Sequence, residues 1–371
     1  MKILYISTIS NTINSFLIPH IKMLINSGHE VEIAFKTDHE VDCQLIQMGC
    51  KIHEVNFNRN PIHIDNLKAY NNLKKIISEG DYDVVHTHTP VASAIARIVC
   101  KNMKTIKIIY TAHGFHFYKG APIKNWLLYY PVERWLSKYT DILITINQED
   151  YFIGEKKFTE INKVYKLPGT GINSSRFEIV DKTEKLSLRR KNNIPINSFV
   201  LIFPAELNNN KNQEFLLKTI IKLKDEISEI KLLLLGEGVN QKKYKQFIKK
   251  NNIEKFVYMM GFKENIEEFI KLSDVSISSS LREGLGLNLI EGMFCGNPVV
   301  AMDNRGHREI VINEVNGFLL PQDVDLWVKR IKEIYESDNL YMRMSTQSKE
   351  LSKKFELKNV INKLEEIYRI L

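Results

Sequence analysis

Two glutamates in a glycine-rich stretch are the residues whose types and spacing are best suited to chemistry. The stretch reads SSSLREGLGLNLIEGM, and seven residues separate Glu283 from Glu291. Gly284 and Gly286 follow the first glutamate and let the backbone turn tightly and approach a ligand closely. We expect a helix to begin near Leu287, where the unpaired amides and the positive end of the dipole favour an anion.

Two interpretations of this stretch are open from the residues alone. In the first, a ligand with a phosphate and two sets of hydroxyls binds here. Its phosphate lies on the helix amides, and each carboxylate accepts hydrogen bonds from hydroxyls. In the second, Glu291 caps the start of a helix and Glu283 faces water.

The elements that must position these glutamates alternate between strands and helices. Apolar runs such as KILYIS, YDVVHTH and FVLIFPAEL alternate with helical patterns such as NLKAYNNLKKIISEG. This alternation predicts parallel sheets with helices on both faces, whose strands are buried and therefore continuously apolar. The pattern breaks at KLPGTGINSSRF, a loop rich in Pro, Gly and Ser, and then restarts.

We therefore predict an α/β fold of two Rossmann-like doubly wound domains that face a central cleft. The predicted N-terminal domain covers residues 1–168, and the second domain covers 169–350. Residues 351–371 form a C-terminal helix that packs back toward the N-terminal domain. Ligands of such sheets bind at the carboxyl ends of the strands, so the cleft is the expected site.

Composition excludes several classes of protein. The chain has 371 residues and a formal net charge of +8, with no basic run or motif typical of nucleic-acid binding. No apolar run reaches the roughly 18 residues that a membrane span needs. The start, MKILYISTIS, is typical of a first strand and not of a signal peptide. Four scattered cysteines indicate reduced thiols, so we predict a cytoplasmic protein. Because a basic run and a binding motif are missing, we predict no nucleic-acid partner.

The order of motifs along the chain resembles that of family 4 retaining glycosyltransferases, which have the GT-B architecture. DVVHTHTP and IIYTAHGFHF are similar to signatures of the family's first domain, and VYKLPGTGINSSRF to its linker. LLLLGEG and YMMGF stand where two nucleotide-facing glycine turns are expected. The E-x7-E motif follows, and then GNPVVAMD, GHREIV and NGFLL. The resemblance covers essentially the whole chain, and it implies that residues 1–168 form an acceptor domain and residues 169–350 a nucleotide-sugar donor domain.

This resemblance implies a function, of the type found in bacterial capsule or exopolysaccharide biosynthesis. A retaining, metal-independent enzyme would move a hexose or N-acetylhexosamine from a nucleotide-diphosphate sugar, most typically a UDP-sugar. It would need no cofactor beyond this donor substrate. The implied acceptor is a polyprenyl-diphosphate-linked saccharide, which places the enzyme in peripheral contact with the inner face of the cytoplasmic membrane.

The resemblance also implies roles for individual residues. Glu283 would lie against the transferred sugar, Lys211 would bind phosphate, and His113 would lie near the reacting sugar. Glu291 would hold the ribose hydroxyls. The other predicted donor-binding residues lie on the glycine turns and around the helix start: Gly236, Gly261, Phe262, Arg282, Gly284, Leu285, Gly286 and Leu287.

Two departures from the family pattern stand out. The family pairs an arginine with the phosphate-binding lysine in a Gly-Arg turn, but this turn reads PAEL, with Glu206 at the arginine's position. Either Arg282 or Arg305 supplies the missing charge, or the donor phosphate relies on Lys211 and helix amides. The first loop, STISNTINSF, also lacks the Gly-Gly that many members carry, which leaves the acceptor open.

Two short motifs resemble metal sites. His86 and His88 in HTH lack a third ligand nearby, so they are weak candidates, and we predict no metal. Asp81 and Asp83 in DYD imitate the D-x-D motif of metal-dependent sugar transferases. They precede the strand VVHTH, however, and this position predicts a polar turn at the amino end of the sheet.

The aromatic stretch NWLLYYPVERW has two interpretations. It is either a core helix or, with Lys119, Lys124 and Arg134 close by, a surface that rests on a membrane.

Three other functions are alternatives to sugar transfer. A UDP-sugar epimerase on the same two-domain fold would convert its substrate without an acceptor. A non-catalytic nucleotide-sugar-binding subunit would arise if Glu206 disabled the phosphate site. A nicotinamide-dependent dehydrogenase is disfavoured because no glycine motif follows the first strand.

Overall fold

The structure is a computed structural model that describes all 371 residues. Two compact units divide the chain. The first consists of Met1–Gly171 together with Leu357–Leu371, and the second of Ile172–Glu356. The sequence placed the corresponding boundaries at residues 168 and 350.

The first unit contains a parallel sheet of seven strands in the order β3-β2-β1-β4-β5-β6-β7. The order reverses between β1 and β4, so the crevice at the carboxyl ends of these two strands is the topological switch point of the unit. The strands are β1 (Lys2–Ile9), β2 (Glu30–Lys36), β3 (Lys51–Glu54), β4 (Val84–His88), β5 (Lys107–Ala112), β6 (Ile142–Thr145) and β7 (Lys163–Lys166).

Helices connect these strands and cover both faces of the sheet. They are α1 (Ser10–Thr12), α2 (Ile18–Asn26), α3 (Cys43–Gln47), α4 (Asp65–Gly80), α5 (Pro90–Cys100), α6 (Ile123–Leu136) and α7 (Gln148–Lys157). The predicted loop after β1 is wrong, because the chain is helical from Ser10 onward and Ile13–Leu17 forms a π-helix. The absence of the Gly-Gly pair is consistent with this, since glycine disfavours a helix interior.

The C-terminal helix belongs to the first unit. The sequence FELKNVINKLEEIYRIL places apolar residues at helical spacing, which predicts one buried stripe. The helix α15 (Leu357–Arg369) buries Val360, Leu364, Ile367 and Tyr368 in the core formed with α2 and the sheet.

The second unit contains a parallel sheet of six strands in the order β10-β9-β8-β11-β12-β13. Here the order reverses between β8 and β11. The strands are β8 (Phe199–Pro204), β9 (Ile230–Leu235), β10 (Val257–Gly261), β11 (Val275–Ser278), β12 (Val299–Met302) and β13 (Gly317–Leu320). Both units are Rossmann-like and doubly wound, so the predicted fold class is confirmed.

The helices of the second unit enclose an apolar core around the fully buried Trp327 and Phe203. One of them, α13, begins where the Asp323 carboxylate accepts from the amides of Asp325 and Leu326, as an N-cap should. The helices are α8 (Lys182–Lys191), α9 (Gln213–Glu226), α10 (Gln241–Lys250), α11 (Ile266–Lys271), α12 (Leu287–Phe294), α13 (Val324–Glu336) and α14 (Asp338–Ser352).

None of the helices in either unit combines the length and the apolar character needed to cross a bilayer.

Candidate functional site

The candidate site of the second unit forms where the loops after β8 and β11 meet, at the switch point of its sheet. Hydrogen bonds join the two loops: the Asn210 side chain donates to the Arg282 carbonyl at 3.0 Å, and the Leu281 amide donates to the Asn210 carbonyl at 2.8 Å. The Ser279 hydroxyl donates to the Lys211 carbonyl at 2.8 Å. Each loop is therefore held in place by the other. The sequence showed both loops but not the asparagine and serine contacts that join them.

Lys211 and Glu283 face each other across these loops. The Lys211 ammonium donates to Glu283 Oε1 at 2.5 Å, and both side chains are largely buried. Burial alone would raise the pKa of Glu283, but the charge and hydrogen bond of Lys211 outweigh it and leave the pKa below its usual range. Glu283 is therefore an ionised carboxylate paired with a cation, and the interpretation in which it faces water is wrong.

The glycine loop leads from Glu283 into α12. The helix begins at Leu287, as predicted, after Gly286 adopts a φ of +104°. A Cβ at this position would lie 3.1 Å from His307 Cδ2, so both the backbone angle and the tight contact favour glycine. The first-turn amides and positive dipole end of α12 thus start immediately after the loop, which is a suitable arrangement for an anion.

The imidazole of His307 packs against this loop at Gly286. His307 is not among the site residues predicted from the sequence. Its imidazole is fully buried, and Nδ1 lies 2.7 Å from the Met302 carbonyl. The Asn304 side chain accepts from the amides of Gly306 and His307, which shapes the turn after β12. The quoted motif GHREIV contained the histidine, but only the fold shows that it lies under the glycine loop.

Glu291 lies in the second turn of α12, and its carboxylate makes no hydrogen bond or ion pair within the protein. Burial raises the pKa of its carboxyl to about 7, while the charge of Arg176 lowers it and that of Glu267 raises it. A buried carboxyl without a partner costs free energy in the ligand-free protein. Its acceptor oxygens are consequently available to hydroxyl groups.

The two arginines considered as replacements for the missing cation differ in their contacts. Arg305 is buried, and its Nε donates to the Glu283 carbonyl at 3.4 Å, so it braces the glycine loop. The Arg282 guanidinium is partly exposed and has no partner within the protein. Glu206 is exposed and its carboxylate is likewise unpaired. Arg282 is therefore the cation that can turn to a bound anion without losing an internal contact.

The glycine turns at the ends of β9 and β10 are close to the PAEL turn. A Cβ on Gly236 would lie 2.3 Å from the Ala205 carbonyl oxygen, so this glycine is required by backbone packing. Gly261 adopts a φ of +68° and its carbonyl accepts from the Gly236 amide at 2.8 Å. Phe262, next along the chain, is largely exposed, as a residue that stacks on a base should be.

His113 belongs to the first unit and directly follows β5. Its Nε2 lies 3.0 Å from Nδ1 of His88, the last residue of β4. His86 contacts hydroxyls through both ring nitrogens, Tyr368 Oη at 2.6 Å and Thr111 Oγ1 at 2.8 Å, and so has no nitrogen left for a metal. The H-T-H motif is thus part of a buried histidine cluster.

The D-Y-D motif lies at the amino edge of the first sheet, as the sequence predicted. Asp81 ends α4 with a left-handed φ of +50°, and the Asp83 carboxylate accepts from the Lys2 amide at 2.7 Å. Both residues lie in the turn between α4 and β4, remote from the carboxyl ends of the strands.

The aromatic stretch forms α6, which is divided into two faces. Trp126 and Tyr130 pack inward on Phe117, and Glu133 forms a buried ion pair with Arg97 at 2.9 Å. The outward face exposes large apolar side chains: Ile123, Leu127, Leu128, Val132 and Trp135. The interpretation as a plain core helix therefore holds for only one face.

Comparisons with known proteins bear on the family of this chain. A family profile described as "Glycosyl transferases group 1" matches residues 184–351, and one described as "Glycosyl transferase 4-like" matches residues 2–147. The relative named "Putative glycosyltransferase EpsD", from Bacillus subtilis (strain 168), is 39% identical over 99% of this chain and 96% of its own. The Escherichia coli UDP-Gal:alpha-D-GlcNAc-diphosphoundecaprenol alpha-1,3-galactosyltransferase is 26% identical over 84% of this chain and 81% of its own.

Solved structures show the same fold at low sequence identity. Anabaena HepE in complex with UDP and glucose superposes with a TM-score of 0.81 at 19% identity and covers 100% of both chains. WaaG, a glycosyltransferase involved in lipopolysaccharide biosynthesis, superposes with a TM-score of 0.78 at 14% identity, over 98% of this chain and 99% of its own. From the family profiles and the identity to EpsD, this chain belongs to the group 1 glycosyltransferase family and is a glycosyltransferase with the GT-B fold.

Proposed function

We propose that this glycosyltransferase retains the anomeric configuration and takes its sugar from a UDP-sugar. The observation that carries the proposal is the Lys211–Glu283 pair beside the start of α12. A cation and a helix N-terminus suit a diphosphate, and two carboxylates suit the hydroxyls of a sugar and a ribose. The bound UDP and glucose of HepE agree with this donor class.

The proposed roles of the residues combine these positions with the roles that the family resemblance implies. Lys211, Arg282 and the amides of α12 stabilise the negative charge that develops on the departing diphosphate. Glu283 lies beside the transferred sugar and stabilises its oxocarbenium-like transition state, and Glu291 holds the ribose. The acceptor hydroxyl attacks the anomeric carbon as the bond to the diphosphate breaks, and its proton passes to the departing phosphate oxygen. Neither a metal nor a cofactor is required in this scheme.

The proposed acceptor is a polyprenyl-diphosphate-linked saccharide of surface polysaccharide or glycan assembly. The name of the Escherichia coli relative describes an acceptor of this class. The outward face of α6 supports a location at the inner surface of the cytoplasmic membrane. This face is apolar, the exposed charges beside it are the basic Lys124, Arg134 and Lys138, and Glu133 is turned inward. Apolar and basic side chains together fit an anionic lipid surface.

The proposed transfer is tested with a panel of UDP-sugars and a short polyprenyl-diphosphate-linked N-acetylglucosamine. We expect one donor to transfer its sugar with retained configuration, detected by NMR of the product, and with turnover unchanged by EDTA. An inverted product contradicts retention, and turnover that returns only with added Mg²⁺ contradicts metal independence.

Two outcomes of the same assay identify the alternative functions. Interconversion of UDP-sugars without acceptor indicates an epimerase. Saturable UDP binding without turnover of any donor, together with intact cellular function of Glu283→Ala, indicates a non-catalytic binding subunit.

A further inference from the structure

Two histidines at adjacent strand ends of the first unit form a direct ring-to-ring hydrogen bond. His88 ends β4, His113 follows β5, and His88 Nδ1 lies 3.0 Å from His113 Nε2. His88 is 1% exposed, whereas His113 is partly exposed. The second ring nitrogen of His113, Nδ1, has no partner within the protein. One of the two facing nitrogens must carry the proton, because a hydrogen bond needs one donor and one acceptor.

The surroundings of His88 decide which nitrogen this is. Its other nitrogen, Nε2, is buried and has no hydrogen-bond partner. A buried N–H without an acceptor is rarer, and costs more free energy, than a buried unprotonated nitrogen without a donor. Nε2 is therefore the unprotonated (bare) nitrogen of His88, and Nδ1 carries the proton.

Two other buried histidines of this chain follow the same rule. His20 Nε2 faces the Thr170 carbonyl at 2.7 Å, and His307 Nδ1 faces the Met302 carbonyl at 2.7 Å. A carbonyl only accepts, so the facing nitrogen is protonated in both. The remaining nitrogens, His20 Nδ1 and His307 Nε2, are bare, and both are buried without a partner. Where the tautomer is forced, the unpartnered nitrogen thus lacks the proton.

We propose that His88 is a positioning residue: its Nδ1–H donates to His113 Nε2 and so holds His113 as the neutral tautomer that donates from Nδ1–H to a substrate oxygen. This inference rests on the proposed function and on the place near the reacting sugar that the family resemblance implies for His113. The inference changes the chemistry of His113, because the only unprotonated nitrogen of its ring already accepts the hydrogen bond from His88. His113 is consequently a hydrogen-bond donor and not a general base.

The electrostatic environment keeps both rings neutral. Burial, together with a smaller effect of the nearby His20, lowers the pKa of His113 to about 4. Burial also holds the pKa of His88 well below its usual range, and its electrostatic neighbours are the imidazoles of His86, His113 and His20. Tyr5, whose ring lies tilted against that of His88 at 4.8 Å between centroids, is also uncharged because burial raises its pKa.

The tautomer is measured directly on the free protein. In histidine-¹⁵N-labelled full-length chain near pH 8, long-range proton–nitrogen spectra distinguish protonated from bare ring nitrogens. Assignment uses the loss of one ring's signals in His88→Asn and in His113→Asn. We expect both His88 and His113 to carry the proton on Nδ1. A proton on Nε2 of either ring overturns the proposal.

A matched pair of variants separates positioning from packing. His88→Phe keeps the ring that stacks on His86 and Tyr5 but removes the donor, whereas His88→Asn places an amide where Nδ1 was. We expect kcat to fall about tenfold in His88→Phe, which corresponds to the free energy of one hydrogen bond. KM for the UDP-sugar should stay within about threefold of wild type. His88→Asn should recover to within about threefold of wild type. Equal kcat in the two variants, at matched Tm, overturns the positioning role.

Failure of the proposed function gives a different result. In that case the wild-type chain itself binds no UDP by calorimetry and turns over no UDP-sugar. The ring spectra, by contrast, are recorded without substrate and decide the tautomers in either case.

Discussion

Lys211 and Glu283 come from loops that follow two adjacent strands of one sheet, and their charged ends lie 2.5 Å apart. The pair spans the switch point between β8 and β11, the place where doubly wound sheets bind ligands. In the free protein each residue neutralises the other. A bound diphosphate would compete with Glu283 for the ammonium of Lys211, which would leave the carboxylate to the hydroxyls of the sugar.

The first prediction concerns this ion pair. Lys211→Met should lower the free energy of unfolding by about 1–3 kcal/mol, because it leaves a largely buried carboxylate without its partner. It should also weaken UDP binding at least about tenfold. Glu283→Gln should retain UDP binding but lose most transfer activity. A double-mutant cycle with Lys211→Met/Glu283→Gln should give a coupling energy of about 1 kcal/mol or more in urea unfolding. Coupling near zero contradicts the pairing.

The second prediction distinguishes the two arginines. Arg282→Ala should weaken UDP binding about tenfold with little change in Tm, because its guanidinium has no internal partner. Arg305→Ala should lower both Tm and activity, since Arg305 is buried and braces the Glu283 carbonyl. Arg308→Ala, which removes an exposed bridge to Asp303, is the control and should change stability by less than about 1 kcal/mol. If neither Arg282→Ala nor Arg305→Ala lowers activity, helix amides and Lys211 suffice.

The third prediction is a pH dependence at Glu291. Its folded pKa of about 7 lies above the ordinary 4.5, so the folded protein keeps a proton that the unfolded chain releases. Stability should therefore fall as pH rises from 4.5 to 7, and Glu291→Gln should remove this loss. UDP affinity of the wild type should rise over the upper part of this range as the carboxylate ionises.

Chemical unfolding and calorimetry at several pH values measure both effects. Glu254→Gln, at an exposed position of the same unit, should follow the wild type. A pH profile of Glu291→Gln that is identical to the wild type contradicts the assignment.

The fourth prediction concerns the outward face of α6. Leu127 and Leu128 are 69% and 64% exposed. We expect the chain to float with anionic phosphatidylglycerol vesicles and less with zwitterionic ones. Leu127→Gln/Leu128→Gln should reduce flotation through lost apolar contact, and Lys124→Gln/Arg134→Gln should remove the preference for anionic lipid.

Ile46→Gln changes an apolar residue of similar exposure outside α6 and serves as the control. Flotation that is equal for all three variants shows that α6 is not the contact surface.

The fifth prediction concerns the PAEL turn. Gly236→Ala should destabilise the protein, because the added Cβ would meet the Ala205 carbonyl at 2.3 Å and backbone cannot yield easily. The matched control is Gly49→Ala, which has a positive φ of 76° but open space around it and should cost about 1–2 kcal/mol. We expect Gly236→Ala to cost about 1–3 kcal/mol more, measured as the shift of the urea midpoint at constant m-value. Equal losses of stability in the two variants would show that the backbone at Ala205 can move away from the added Cβ.

The sequence by itself determined the class of fold and most of its elements. Parallel strands buried on both faces must be continuously apolar, and helices must be amphipathic, so local patterns such as IKLLLL and KKYKQFIKK carried the signal. The glycines around Glu283 likewise predicted a strand-loop-helix joint, because tight turns before a helix favour residues without a Cβ.

Only the tertiary structure decided which side chains meet. The Lys211–Glu283 pair joins residues 72 positions apart, and the support of Gly286 by His307 depends on how β11 and β12 are ordered. Burial likewise depends on all neighbours at once. No local pattern could therefore show that Glu291 has a raised pKa, that Arg305 is buried while the Arg282 guanidinium has no internal partner, or that one face of α6 exposes large apolar side chains. These contacts arise from packing between distant segments, and they determine the charge and protonation on which the proposed chemistry depends.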